Sequence, residues 1–237
     1  MTEATDTRFA DPELIKTGDG SYSIYLPQLN ETYHSRHGAL HESQYVYIDH
    51  GLADYWKQQL AKGETKKEVC VLEIGFGTGL NAWLAARWAT ANDVAVQYTS
   101  LEPYPIPTAM VGELQDGLED PALFNQLHKV AWDEWNAIRP LFGLRKVAQR
   151  LEDWTTAQQL ETQYDVIFYD AFGPSKQPEV WSAGNLLTCA QLLLHGGVLT
   201  TYCAQGQFRR DLKSAGLTLV KLPGPPHKNE MTQGWKI

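Results

Sequence analysis

The segment Glu73-Ile74-Gly75-Phe76-Gly77-Thr78-Gly79-Leu80-Asn81 combines three glycines at alternate positions with an acid before them and an amide after them. Glycine adopts φ > 0 at no steric cost and lets backbone approach a ligand closely. A helix starting just beyond would present its free N–H groups at the same place. The spacing is G-x-G-x-G, whereas a dinucleotide loop uses G-x-G-x-x-G to seat a pyrophosphate, and there is no lysine to make a Walker loop. An acid two positions before the first glycine suits a cationic, amine-bearing ligand better than a diphosphate. Glu102, at the end of the next apolar run, stands where a carboxylate accepts hydrogen bonds from ribose hydroxyls. Asp153, in Glu152-Asp153-Trp154, either accepts from an adenine amino group or caps the helix that follows. Glu73, Gly75, Gly77, Thr78, Gly79, Asn81, Glu102 and Asp153 are thus candidate residues for a nucleoside cofactor.

A second group follows Asp165-Val166-Ile167-Phe168-Tyr169, in Asp170-Ala171-Phe172-Gly173-Pro174. An acid that ends an apolar strand lies at the mouth of a sheet crevice, or else closes an Asx turn on its own backbone. At the mouth, Asp170 would touch both cofactor and acceptor. Phe172 either stacks on a flat substrate or joins the core. His37 and His41 share a helical i, i+4 spacing, but no third ligand accompanies them and no metal is expected.

The elements that must position these groups alternate. Val69–Glu73, Ala95–Leu101, Leu141–Ala148, Asp165–Tyr169, Val198–Tyr202 and Leu217–Leu222 read as strands, and Gln233–Ile237 as a last edge strand. Helices are expected at Leu52–Leu60, Leu80 to about Trp88, Pro105 to about Ile138 with breaks, Trp154–Leu160, Leu186–Leu194 and Gly206–Ser214. Such alternation predicts an α/β fold with a doubly wound, mostly parallel sheet. Residues 1–20 read as a polar arm, and the runs at Tyr22–Leu26 and Tyr45–Ile48 as short strands. The expected organisation is an N-terminal β-rich extension over 1–50 packed on a cofactor-binding domain over 51–237.

Composition narrows the classes. The 237 residues are 43% hydrophobic and 11% aromatic, enough for a sizeable core and against wholesale disorder. No apolar run approaches a membrane span and no secretory leader is evident, so a cytoplasmic protein is expected. Cys70, Cys189 and Cys203 are an odd set without C-x-x-C spacing, which predicts buried fillers in place of a disulfide framework or a zinc cluster. The formal charge of −8 gives no general support to nucleic-acid binding, which would need local basic surface.

The runs at 73–81 and 170–181, with Thr201–Leu212 and Gly224–Met231, resemble the methyltransferase of the bacterial tRNA 5-methylaminomethyl-2-thiouridine biosynthesis enzyme. The similarity extends from about Tyr33, through Gly38–Val46, to the C-terminus. It implies the fold of S-adenosylmethionine-dependent methyltransferases and S-adenosyl-L-methionine as cofactor. The implied reaction is methylation of the aminomethyl group of 5-aminomethyl-(2-thio)uridine at the tRNA wobble position. Asp170 is then the expected catalytic group, accepting from the amine. Phe172, Pro174, Arg209, Arg210, Lys228, Glu230 and Met231 are the expected substrate contacts, with the basic residues on anticodon-loop phosphates. Where the resemblance implies a basic residue, this chain has Asn229. No second dinucleotide fingerprint is present, which fits a stand-alone methyltransferase coupled to a separate flavin-dependent oxidoreductase or another enzyme that supplies the amine. The competing readings are a small-molecule N- or O-methyltransferase, a polyamine synthase of the same fold, and a non-catalytic RNA-binding protein with a vestigial nucleotide fold.

Overall fold

Ile24 and Leu26 bury their side chains while Tyr22 and Tyr25 stay half-buried, a pattern that needs a partner on one face. The computed structural model, which describes residues 9–63, 67–157 and 163–237, provides it with an antiparallel sheet of Glu13–Lys16 (β1), Tyr22–Leu26 (β2) and Glu31–Thr32 (β3). Part of the expected polar arm is therefore a strand; residues 1–8, like the expected helix end at Leu160, lie outside the described residues.

Ala39–Ser43 (α1) continues through wide π-helical turns at Gln44–Ala53 into Asp54–Ala61 (α2). The β-prone run Tyr45–Ile48 is thus helical. Val46, Tyr47, Ile48 and Leu52 are buried together, and this packing outweighs the local preference for a strand. Gly51 makes the close approach possible, because a Cβ there would lie 2.8 Å from Thr200 and 2.9 Å from Phe168. The boundary expected near residue 50 falls inside this helix, and side chains from both sides of it share one core.

Among the described residues the main sheet has eight strands. Glu68–Ile74 (β4) is followed by Leu80–Asn92 (α3), Ala95–Leu101 (β5), Thr108–Leu114 (α4) and Pro121–Lys129 (α5). Trp135–Arg139 (β6) and Phe142–Val147 (β7) form a hairpin, where the sequence suggested that helix would reach Ile138. Then come Leu151–Ala157 (α6), Tyr164–Tyr169 (β8), Ala183–Leu192 (α7), Leu193–Thr201 (β9), Gly206–Ser214 (α8), Thr218–Pro223 (β10) and Glu230–Trp235 (β11). The strand order is β10-β11-β9-β8-β4-β5-β7-β6. β7, β5, β4, β8 and β9 are parallel neighbours, so the chain winds outward from β4 in one direction and from β8 in the other. β11 is not at the edge as expected; it lies between β9 and β10 and is antiparallel to both. The parallel strands are apolar on both faces, as burial on two sides requires: Val69 and Val71 join one core with α3, while Leu72 and Ile74 join another with α7. Among the described residues no helix is long and apolar enough to cross a membrane.

This winding puts the topological switch point between β4 and β8. A ligand crevice opens there, beyond the carboxyl ends of the strands. The glycine loop follows β4 and Asp170 follows β8, so both candidate groups meet at that crevice.

Candidate active site

The glycine loop turns because Gly75 and Gly77 take φ of 97° and 51°. A Cβ on Gly75 would stand 2.6 Å from the Asp170 carbonyl oxygen, and one on Gly77 would stand 2.9 Å from the Tyr33 ring. The loop is thereby pressed between the two halves of the crevice. Thr78 is held from both sides: His34 Nε2 lies 2.7 Å from its hydroxyl, and His128 Nε2 lies 3.0 Å from its carbonyl oxygen. Burial lowers the pKa of both histidines to about 4, so each is neutral near pH 7. Gly79 closes the loop in the left-handed conformation and caps α3.

A cavity of about 340 Å³ lies over this loop. Of the residues singled out by sequence, Gly75, Gly77, Glu102, Asp170, Phe172 and Lys228 form part of its wall. Glu102 accepts the N–H groups of Gly77 and Tyr104, each at 2.9 Å, leaving further lone pairs for hydroxyl donors. Burial pushes its pKa up to about 7 against those two bonds.

Glu73 does not reach the wall. It is fully buried beneath the loop, where it accepts from Ser100 Oγ at 2.5 Å and from Asn81 Nδ2 at 3.0 Å. Asn81 also donates to Asp170 Oδ2 at 2.8 Å, and Tyr47 donates to Asp170 Oδ1 at 2.6 Å. Glu73 thus acts on the cavity through Asn81, and Asp170 is clamped on both oxygens. Burial pushes Glu73 up to about 8 and Asp170 up to about 7, the hydrogen bonds opposing the rise in each case.

These shifts give stability a pH dependence. Glu73, Glu102 and Asp170 have folded-state pKa values above their usual carboxylate range, so they favour the folded state fully in acid and less as pH rises through 7 to 8. His34 and His128 are depressed and act in the opposite sense below 6.5, which offsets most of the fall there and leaves the trend steepest from 6.5 to about 8. The free protein is expected to melt at progressively lower temperature across that range. A cationic ligand should stabilise it more at pH 8 than at 6.5. Scanning calorimetry at matched ionic strength checks both; a flat profile for the free protein would contradict the burial of these carboxyls.

Several expected contacts lie elsewhere. Asp153 is exposed on α6, and its neighbour Glu152 lines the cavity with Gln149, Arg150 and Leu151. Pro174 sits in a half-buried turn off the wall. Arg209 is spent on β11, donating to Glu230 Oε2 at 2.5 Å, Thr232 Oγ1 at 2.9 Å and the Met231 carbonyl at 3.1 Å. Glu230 is thereby paired away from the cavity, and Met231 is a fully buried core residue. Arg210 is exposed and donates to Gln207 Oε1 at 2.7 Å.

The wall includes residues that sequence reasoning did not single out: Phe9, Tyr33, His34 and Tyr202. Tyr33 meets Phe172 edge to face at 4.9 Å. Tyr202 and Gln149 follow the parallel strands β9 and β7, so the rule that ligands sit beyond strand carboxyl ends would have found them. No local signal marks Phe9 or Tyr33. Gln149, Arg150 and Glu152 share the wall with Gly75 and Gly77 of the glycine loop, Glu102, Asp170, Glu42 and Tyr202. This donor set, rich in carboxylates and without a cation in the loop, fits a nucleoside bearing a positive charge.

Residues 146–237 match a family described as S-adenosyl-L-methionine-dependent methyltransferase. The chain is 31% identical to the tRNA 5-methylaminomethyl-2-thiouridine biosynthesis bifunctional protein MnmC of Marinomonas sp. (strain MWYL1), over 97% of this chain and 34% of that protein. It is 30% identical to the protein of the same name from Pseudomonas fluorescens (strain Pf-5), over 86% of this chain and 32% of the relative. The chain therefore spans about a third of the length of the curated relatives it matches. Among solved structures, MNMC2 from Aquifex aeolicus superposes with a TM-score of 0.73 at 23% identity, over 99% of this chain and 72% of that one. Residues 146–237 therefore carry the pattern of that family, and the chain as a whole shares the fold of the Aquifex aeolicus structure.

Proposed function

We propose that the chain methylates the primary amine of a 5-aminomethyl-(2-thio)uridine at the tRNA wobble position, giving the 5-methylaminomethyl form. The observation that carries this reading is the clamped carboxylate of Asp170, which shares the cavity wall with the glycine loop and the rings of Tyr33, Phe172 and Tyr202. The names of the curated relatives direct it to tRNA. Bound along the loop, S-adenosylmethionine supplies an electrophilic methyl group on a positively charged sulfur that departs as a neutral thioether.

Every other requirement falls on the protein. Glu102 would receive the ribose hydroxyls, the glycine-loop backbone would frame the amino-acid end, and Gln149 and Glu152 would face the base. An alkylammonium has no lone pair, so the acceptor must first lose a proton. Asp170 accepts it, and its burial favours the neutral acid beside a neutral amine over two separated charges. The freed lone pair of the acceptor nitrogen would then take the methyl group, the sulfur keeping the electron pair of the bond it loses. The surplus proton on nitrogen leaves after transfer. Holding nitrogen, carbon and sulfur in line contributes on the order of 7–11 kcal/mol at best. Phe172 and Tyr33 offer faces and edges to a splayed uracil. Arg36 and Arg150, both exposed, take the phosphate role that Arg209 cannot, because Arg209 is committed to β11.

The amine must be exposed by another activity, for which a separate flavin-dependent oxidoreductase is the proposed partner. Incubating the chain with S-adenosylmethionine and tRNA carrying 5-aminomethyl-2-thiouridine should produce the methylaminomethyl nucleoside, read by mass spectrometry of digested tRNA. Transfer should weaken steeply with added salt. Turnover of free small amines with no transfer to that tRNA would favour the small-molecule reading.

A further inference from the structure

In the same cavity wall as Asp170 a lysine side chain already sits in a cation site. Lys228 leaves the loop between β10 and β11 and places Nζ over the Tyr202 ring, 4.0 Å from its centroid, while donating to Glu42 Oε1. Both partners are fixed without it. Glu42 is 6% exposed, and its other oxygen accepts the Ser35 N–H at 2.7 Å. The Tyr202 hydroxyl donates to the Ala171 carbonyl at 2.7 Å, which holds the ring next to Asp170. Lys228 is the looser member, borne on a loop with its side chain about a third exposed (34%).

A desolvated carboxylate and an aromatic face are the two components by which proteins recognise an ammonium group. A lysine side chain ends in a primary alkylamine, the same group that the proposed acceptor carries. Glu42, Tyr202, Asp170 and Lys228 line one cavity. We infer that Glu42 and Tyr202 form the subsite that recognises the cationic acceptor amine, and that Lys228 occupies it in the free protein and yields it to substrate. This inference rests on the reading of the acceptor as an alkylamine. It divides the labour of two carboxylates: Glu42 receives the charged group and Asp170 takes its proton. It also makes selectivity a competition, since a neutral acceptor gains nothing by displacing an ammonium from Glu42.

The test uses methylammonium chloride as the probe and the full chain with S-adenosylhomocysteine bound, followed by calorimetric or NMR titration at pH 7. Lys228→Met should bind methylammonium on the order of tenfold more tightly than the unaltered chain, equivalent to about 1.4 kcal/mol. Adding Glu42→Gln should abolish that gain. Lys228→Gln, which keeps a donor for Glu42, should show the same gain if the methionine variant folds poorly. With an aminomethyl-uridine anticodon stem-loop as acceptor, Lys228→Met should lower KM and Glu42→Gln should raise it. Unchanged methylammonium affinity in both folded Lys228 variants overturns the inference. So does a raised KM in Lys228→Met with a shallower salt dependence, because that marks Lys228 as an RNA phosphate contact. The methylammonium titration involves neither RNA nor turnover. A gain there, beside absence of transfer to tRNA, would keep the subsite and reject the tRNA reading.

Discussion

Asp170→Asn is expected to lower methyl transfer on the order of 10²–10⁴-fold, the usual span for removal of a positioned general base. The amide keeps the volume and can still accept from Tyr47, so the clamp survives on one side. It cannot take a proton, and it turns a donor toward Asn81, which already donates there. Cofactor affinity should change much less, because Glu102 and its bonds to the Gly77 and Tyr104 N–H groups are untouched. The pH profile provides the sharper check. Asp170 is active only when ionised, so the wild-type rate should fall as pH drops through about 7. The variant should lack that limb. Near-normal turnover with cofactor bound would remove Asp170 from the mechanism.

Gly75→Ala should be the most damaging small change in the loop. At φ of 97° an added Cβ strains the backbone by about 1–3 kcal/mol. The same Cβ would stand 2.6 Å from the Asp170 carbonyl oxygen, and backbone atoms cannot swing aside as a long side chain can. Either β4 and β8 separate at their ends or the loop shifts, and both move Asp170 relative to the cofactor. Loss of both cofactor affinity and melting temperature is expected, measured by calorimetric titration and thermal unfolding. Gly63→Ala is the control: its φ of 76° is also positive, but no atom lies within 4 Å of the added Cβ. It should cost stability alone.

The sequence was most legible where chemistry and backbone geometry coincide. The glycine spacing, Glu102 and Asp170 could be placed because each sits at a strand's carboxyl end, and period and turn residues locate strand ends well. Tyr47 was illegible for the opposite reason. Its neighbours Val46 and Ile48 favour extended backbone, and only contact with the finished sheet makes the segment helical and aims the hydroxyl at Asp170. Glu73 reads in the sequence as a cofactor contact, since a sequence does not show that Asn81 stands between it and Asp170. The basic residues misled most. Arg209 reads as a surface cation on an amphipathic helix, yet three acceptors on β11 consume its guanidinium. Strand order was hidden too: a short C-terminal apolar run looks like an edge, and its insertion between β9 and β10 depends on pairings that no local pattern encodes.

That insertion bears on how the polypeptide matures. While the nascent chain is still emerging, the flank of β9 stays open, and β10 has no strand to dock against until residues 230–235 arrive. Late closure of this kind leaves an unsatisfied ladder available to a neighbouring molecule, a known route to misassembly. Truncations that stop short of Glu230 should therefore aggregate and not merely lose catalysis, since they remove the wedge that completes the sheet.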